Sequence, residues 1–324
     1  MLVVRTENLD PWRNLALEEL CLDRVGQGGR ILFLWQSSDA VVVGKNQNPW
    51  LECSLTAMEK GGAKLARRLS GGGAVFHDAG NLNYAFLMPR REYKDKTIFS
   101  IVTKALKHFG VQAAMMGKSS LAVNGRKVSG NAFCYRHENV LHHGTLLIST
   151  NLEKMNRYLA SAHRHIRSRA ISSNPAPVAN LQEMVDSITV PQMAVVLAET
   201  AAAEWKQQVM WGGDEMFDPK ILEPVEKKYG SWEWRFGMTP QFEVEMSWRF
   251  NWGEARVGLL VEKGVIRQSE VDFKGDYQRI APVISQVLAG TRFSEKDIVD
   301  CLRKQAPAFQ KSDVAEFARW LVGS

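Results

Sequence analysis

Apolar positions along this chain change period several times, and each change predicts a new element. Residues 2–5 read as a first strand. Asp10-Pro11 then opens a helix over residues 12–25, with a carboxylate at the cap and proline at the first helical position. Leu15, Leu17, Leu20 and Cys21 give that helix a buried face. Glu18 and Glu19 lie in the same helix and read as solvated, with one of them able to point into a site. The apolar runs 31–35 and 40–44 are split by Gln36-Ser37-Ser38-Asp39, which predicts a hairpin with a four-residue turn. Residues 46–50 read as a polar loop and 54–60 as a short helix. Extended runs at 64–68 and 74–77 flank three glycines. In the strand 81–87, alternation sets Leu82, Tyr84 and Phe86 on one face and Asn83 and Ala85 on the other. Helical spacing returns over 97–109.

Asn124-Gly125 between two extended runs is the strongest short hairpin signal, and it folds Lys127 back beside Val123. A strand over 142–148 leads into a helix over 151–159, and the Ser/Asn/Pro-rich stretch 164–177 reads as a loop. Residues 191–209 form an amphipathic helix, and 232–237 a tryptophan-rich turn. After Pro240 the texture changes to alternating strands at 242–252, 255–262 and 264–273, then helices at 280–289, 295–305 and 312–322. The predicted fold class is α+β, with a large mixed sheet in a catalytic domain of residues 1–240 and a small α+β accessory domain of residues 241–324. A length of 324 residues also favours two domains over one.

Composition adds modest constraints. The excess of 41 Lys+Arg over 35 Asp+Glu gives a net charge of +6, which suits an anionic substrate or an acidic protein partner. Cys21, Cys53, Cys134 and Cys301 are far apart and form no C-x-x-C pair, so neither a zinc site nor a disulfide framework is indicated. The opening Met1-Leu2-Val3-Val4-Arg5 lacks a secretion signal, and no apolar run nears the roughly 20 residues of a membrane helix. A cytoplasmic protein with no membrane and no nucleic-acid partner is expected.

The chemistry centres on residues 67–78, R-R-L-S-G-G-G-A-V-F-H-D. Gly71, Gly72 and Gly73 allow a close approach to the main chain, and successive N–H groups there can form an anion nest. Arg67 and Arg68 alternate, so only one is expected to face a ligand. No G-K-[ST] follows and no G-x-G-x-x-G opens a helix, which excludes a P-loop and a Rossmann site. Lys127, as a point charge between a phosphate and a carbonyl oxygen, would stabilise charge developing on both. A glycine nest with such a lysine suits activation of a carboxylate by a nucleotide. His142 and His143, adjacent on a strand, are expected to face opposite sides, one buried and one exposed, with no metal between them. Asp78 reads as a turn cap. Ser70 lacks a G-x-S-x-G context, so no serine triad is expected.

Taken in order, Asp10–Glu19, Gly44–Trp50, Arg67–Asp78 with Gly80-Asn81-Leu82-Asn83, Gly125–Ala132, His142–Leu147 and the turn 232–237 resemble the lipoate–protein ligases, relatives of the lipoyltransferases and biotin protein ligases. The likeness spans essentially the whole chain. It implies a two-step reaction. Lipoate and Mg-ATP give lipoyl-adenylate and pyrophosphate; the amine of an acceptor lysine then takes the lipoyl group and AMP leaves. The implied acceptors are lipoyl domains of 2-oxoacid dehydrogenase complexes and the glycine cleavage H protein. By the same likeness, Arg68 with the backbone of Gly73, Ala74, Val75 and Phe76 would bind ATP and the adenylate. Lys127 would be the catalytic lysine, and His77 and His143 would border the lipoate pocket. Many members carry Asn-Asp where this chain has Ser119-Ser120, so the likeness assigns no metal ligand here. The alternative it leaves open is a lipoyl- or octanoyltransferase using a preformed acyl-adenylate, or a thioester on Cys134. The segment 232–240 is the expected pivot of the small domain.

Overall fold

The structure, a computed structural model, describes residues 1–25, 29–160 and 165–323. Eight strands form the main sheet, in the order Met210–Gly212, Leu2–Arg5, Ile31–Trp35, Asn81–Pro89, Asn139–Leu147, Arg126–Arg136, Ser120–Val123, Ala114–Met116. The first three run parallel and every later pairing is antiparallel, giving the expected mixed sheet. Alternation divides its faces as the sequence predicts. Leu82, Tyr84 and Phe86 pack with Ile98, Ile101 and Val102 of the helix Asp95–His108 and with Met193 and Leu197 of Val190–Glu204. Phe33, Trp35, Ala85 and Leu141 face the helix Pro11–Arg24. Both faces of the central strands are therefore covered, which is why Asn81–Pro89 is almost wholly buried.

Ile31–Trp35 and Ala40–Val43 do not form the predicted hairpin. The first lies in the main sheet, while the second is the centre of a three-stranded sheet between Lys64–Arg67 and Val75–His77. The connection is drawn aside by the start of the first helix. The Ser38 N–H donates to the Leu9 carbonyl at 2.8 Å, and the Asn14 amide donates to the Gln36 carbonyl at 2.8 Å. Asn14 is itself buried, so its bonds replace water that it cannot reach. The predicted polar loop at 46–50 also changes character: Asn48 caps a short helix, Pro49–Glu52, that drives Trp50 into the core.

Phe242–Phe250, Gly253–Glu262 and Val265–Gly275 form the predicted meander, covered by Ala281–Leu288, Glu295–Gln305 and Lys311–Val322. A fourth strand, Ile166–Ser168, pairs antiparallel with the first of these, Ile166 opposite Val244. It lies in the stretch predicted as a loop, whose first residue, Arg164, falls outside the described residues. The buried Trp50 ring stands 5.0 Å from Phe236, 5.2 Å from Phe242 and 5.4 Å from Phe293. One apolar cluster thus runs from the three-stranded sheet into residues 241–324. The helix Val190–Glu204 is shorter than its predicted span, closing at Trp205 before Lys206 takes a positive φ of 52°. The helix Pro219–Gly230 and the edge strand Met210–Gly212 have no counterpart in the sequence reading.

Candidate active site

Asn124 and Gly125 have φ values of 49° and 75°, the left-handed pair that a tight two-residue hairpin requires. The two-residue turn pairs Val123 with Arg126 and so sets Lys127 opposite Ala122, one place from the predicted Val123; the register shifts only beyond this pair, where Leu121 faces Ser129. The Lys127 backbone is clamped from outside the hairpin: its N–H donates to the Pro177 carbonyl at 2.8 Å, and its carbonyl accepts from the Ala179 N–H at 3.0 Å. The side chain curls over Gly130, where a Cβ would stand 2.8 Å from Nζ. Burial lowers the ammonium pKa, and the charge of Arg68 lowers it further. Among the described residues it has no hydrogen bond or ion pair.

Gly72 takes a φ of 86°, and its carbonyl lies so close to Gly44 that a Cβ there would approach it to 2.3 Å. The two arginines that precede this turn are both spent on protein. Arg67, fully buried, donates to the carbonyls of Gly44, Lys45, Gln47, Trp234 and Arg235 and to the Thr239 hydroxyl at 2.7–3.1 Å. Burial and the neighbouring Arg68 hold its pKa down to about 10, so it stays charged at neutral pH. It therefore ties the glycine loop to the segment 232–240. Arg68 lines the cavity, yet its guanidinium holds the loop itself, donating to Gly71 O at 2.6 Å, Gly73 O at 2.8 Å and Val42 O at 3.0 Å.

Arg68 Nε also donates to Ser70 Oγ at 3.0 Å, Ser70 Oγ lies 2.6 Å from His143 Nε2, and His143 Nδ1 lies 2.8 Å from Glu18 Oε1. With the Nδ1–H tautomer every donor in this chain meets an acceptor: arginine to serine, serine to histidine, histidine to glutamate. The sequence suggests no such constellation; it favours solvated Glu18 and Glu19 while leaving one of them able to point into a site, and Glu18 does line the cavity. Glu18 is in fact 2% exposed, and Glu19 is buried between Arg136 and Lys228. A signal for Glu18 was present, because it shares the apolar helical stripe of Leu15 and Cys21. Ser70 is 1% exposed and does not reach the cavity wall, so the line of bonds braces the loop instead of presenting a nucleophile.

His142 and His143 are both buried, where one was expected in solvent. His142 bonds Asn131 and Tyr93 on the opposite sheet face, and burial drops its pKa to about 3. Asp78 has the predicted turn role, accepting from the N–H groups of Gly80 and Asn151. Ser173, unforeseen, accepts the Ala74 N–H at 2.8 Å and is held by Glu52 and Gln47. The half-buried Cys134 has its thiol pKa raised by burial and does not line the cavity.

Between these parts lies a cavity of about 420 Å³. Its wall includes Arg68, Gly73, Ala74, Val75, His77, Lys127 and His143, so all the sequence-predicted site residues line it except Phe76, whose ring packs against Tyr158 instead. Trp35, Asn83, Ser119 and Ser120 line it as well. From the Lys127 strand to the Trp35 strand is three steps across the main sheet, about 14 Å at the usual strand spacing. Among the described residues no three His, Cys, Asp or Glu side chains gather as a metal site, and no helix is long and apolar enough to cross a membrane.

Residues 10–202 match the family described as the lipoyl protein ligase A/B catalytic domain, and residues 239–321 match the bacterial lipoate protein ligase C-terminus. The lipoate-protein ligase A of Psychrobacter cryohalolentis is 34% identical, over 99% of this chain and 98% of that protein. Plasmodium falciparum LipL1, solved in complex with lipoate, is 26% identical with a TM-score of 0.64, covering 100% of this chain and 99% of its own. A lipoate-protein ligase A solved with ATP shares the fold at 21% identity and a TM-score of 0.62, over 73% of this chain and 98% of that one. With the catalytic domain matched along most of its length and a curated relative aligned end to end, the chain belongs to the lipoate–protein ligase A family.

Proposed function

We propose that this cavity receives lipoate and ATP and that the protein is an ATP-dependent lipoate–protein ligase. The carrying observation is the shape of the site. An otherwise unpartnered ammonium and a glycine loop border a cavity of about 420 Å³ whose wall runs from the Lys127 strand to the Trp35 strand, three steps across the main sheet, which suits an extended eight-carbon acid ending in a small ring. LipL1 with lipoate and the ATP-bound ligase support the same pair of substrates.

In the first step a lipoate carboxylate oxygen attacks the α-phosphorus of ATP, and the bond to the bridging oxygen breaks, releasing pyrophosphate. In the second, the ε-amine of an acceptor lysine attacks the acyl carbonyl. The amide forms, AMP leaves with the electron pair of the anhydride oxygen, and the amine loses a proton. Lys127 would touch both the carbonyl and the phosphate, holding them in line and stabilising the oxyanion. Its lowered pKa reflects a partly desolvated charge, which acts more strongly on a developing anion than a hydrated one. Main-chain groups of Gly73, Ala74, Val75 and Phe76 would cradle the nucleotide. Arg68 would act through them by fixing the loop carbonyls, and the Ala74 N–H becomes available once Ser173 withdraws.

Magnesium is expected with the nucleotide. The described side chains offer it no cage of three ligands: Ser119 and Ser120 supply no carboxylate, and Glu18, one oxygen of which is engaged by His143, leaves only Oε2 unpartnered at the cavity wall. No step is therefore assigned to a protein-held metal. Residues 241–324 would serve as an accessory unit, and lipoyl domains of 2-oxoacid dehydrogenases or the glycine cleavage H protein as acceptors. Incubating such a domain with this protein, ATP and lipoate should add one lipoyl mass to one lysine. Failure of that transfer, with no lipoate-dependent ATP–pyrophosphate exchange, would reject the proposal; transfer from supplied lipoyl-adenylate alone would leave only the transferase half.

A further inference from the structure

The cavity wall carries an excess of positive charge. Among the described residues its charged members are Arg68, Lys118 and Lys127 against one carboxylate, Glu18. Lys118 is exposed on the turn between Ala114–Met116 and Ser120–Val123, a turn that Gly117 makes with a φ of 64°. Among the described residues Lys118 has no hydrogen bond or ion pair. Ser120 pairs directly with Gly130, the residue over which the Lys127 ammonium lies, so hydroxyl and ammonium share one face of the sheet. Ser119 is fixed beside it, its carbonyl accepting from the Asn131 N–H at 2.7 Å. Magnesium that accompanies a nucleotide is usually held through one or two carboxylates. Glu18 keeps Oε2 unpartnered, but its other oxygen is tied to His143, two strands away from Ser120 in the main sheet. A magnesium ion beside Ser120 would therefore meet ammonium groups and neutral hydroxyls, and these residues do not fit a protein-held ion.

We infer that Lys118 binds the β- and γ-phosphates of the nucleotide in place of a protein-held magnesium ion. The inference rests on the proposed reading of this cavity as the ATP site. In that reading Lys127 meets the α-phosphate, and Lys118 stands on the same wall, on the side open to water. The β- and γ-phosphates carry most of the charge of a triphosphate, and AMP lacks both. They also leave together as pyrophosphate. An exposed, screened ammonium releases such a leaving group more readily than a buried one. Any magnesium then arrives and departs on the nucleotide, coordinated by phosphate and water.

Calorimetric titration with ATP and with AMP, each in magnesium and in EDTA, tests this. The unaltered protein should bind ATP nearly as tightly in EDTA as in magnesium. Lys118→Ala should weaken ATP about tenfold, the worth of one charge-assisted contact, and leave AMP unchanged. Lys118→Arg, which keeps the charge, should stay close to the unaltered protein. Because Lys118 is exposed and makes no contact that the fold depends on, both variants should fold. Loss of ATP binding by the unaltered protein in EDTA would overturn the inference, and so would normal ATP binding by Lys118→Ala or equal weakening of ATP and AMP. Failure of the unaltered protein to bind ATP in either buffer would sink the ligase reading itself, whereas the other adverse results would sink only the role of Lys118.

Discussion

Gly130 and Lys127 share one small volume: a Cβ on the glycine would stand 2.8 Å from the lysine Nζ and 2.9 Å from Cε. The glycine of the R-K-V-S-G string is thus explained by the side chain three residues before it. Because Lys127 ends in a flexible stem, Gly130→Ala should fold and move the ammonium aside. A displacement of about 1 Å at a positioning group costs up to a hundredfold in rate. Lipoate-dependent exchange should fall by about that factor with little change in unfolding temperature. Lys127→Ala, which removes the charge, should lose several orders of magnitude by the proposed role. Near-normal turnover in either variant would contradict the place given to this lysine.

Glu18 stands at the far end of the line of hydrogen bonds through His143 and Ser70 to Arg68. Glu18→Ala leaves His143 Nδ1–H without its acceptor, and the loosening reaches the loop carbonyls that Arg68 holds. A loss of about 1–3 kcal/mol is the usual result of orphaning one buried partner. KM for ATP should rise about tenfold, while Glu18→Gln, which keeps an acceptor oxygen in place, should recover most of it. Equal behaviour of the two variants in steady-state kinetics would rule out the bracing role.

Arg67 supplies donors to five carbonyls and one hydroxyl and has no carboxylate partner among the described residues. Arg67→Met would strand those acceptors in the core and should destabilise the protein by about 3 kcal/mol or more. Arg67→Lys should rescue little, because an ammonium cannot reach both sides of the planar fork. Differential scanning calorimetry of the three proteins reads this directly. Any swing of residues 241–324 about the segment 232–240 must also break or carry these bonds.

His77 and His142 are neutral in the folded protein, with pKa values pushed down to about 3 by burial. Unfolded, each regains a value near 6.5, so unfolding takes up protons below that pH. Their contribution to stability is complete above about pH 6.5 and is lost progressively as the pH falls toward 3, at about 1.4 kcal/mol per pH unit for each group. His77→Phe should therefore lose about 2 kcal/mol less than the unaltered protein between pH 7 and pH 5. Urea midpoints at the two pH values measure the difference, and parallel declines would refute it.

Local chemistry made much of this fold legible. Asn124-Gly125 announced its hairpin, Asp10-Pro11 its helix, and Glu295–Gln305 its boundaries, because turn and cap preferences act over a few residues. The glycine string and Lys127 are legible as candidates for the same reason, each lying in a contiguous motif. What stayed hidden depends on residues far apart in sequence. Glu18, Ser70 and His143 come from a helix, a loop and a strand, and no spacing rule links them. The run after Trp35 read as a turn because Gln36-Ser37-Ser38-Asp39 is polar, yet Asn14 and Leu9 carry it between sheets. The helix Pro219–Gly230 escaped notice because Pro224 lies inside it.

Ile166–Ser168 completes the C-terminal sheet with a strand borrowed from the catalytic part of the chain. Severing the polypeptide at residue 240 would leave Phe242–Phe250 with a naked edge and Trp50 with its aromatic neighbours removed. Each half produced alone would be prone to self-association, and co-expression of the two pieces should recover soluble material that neither yields separately.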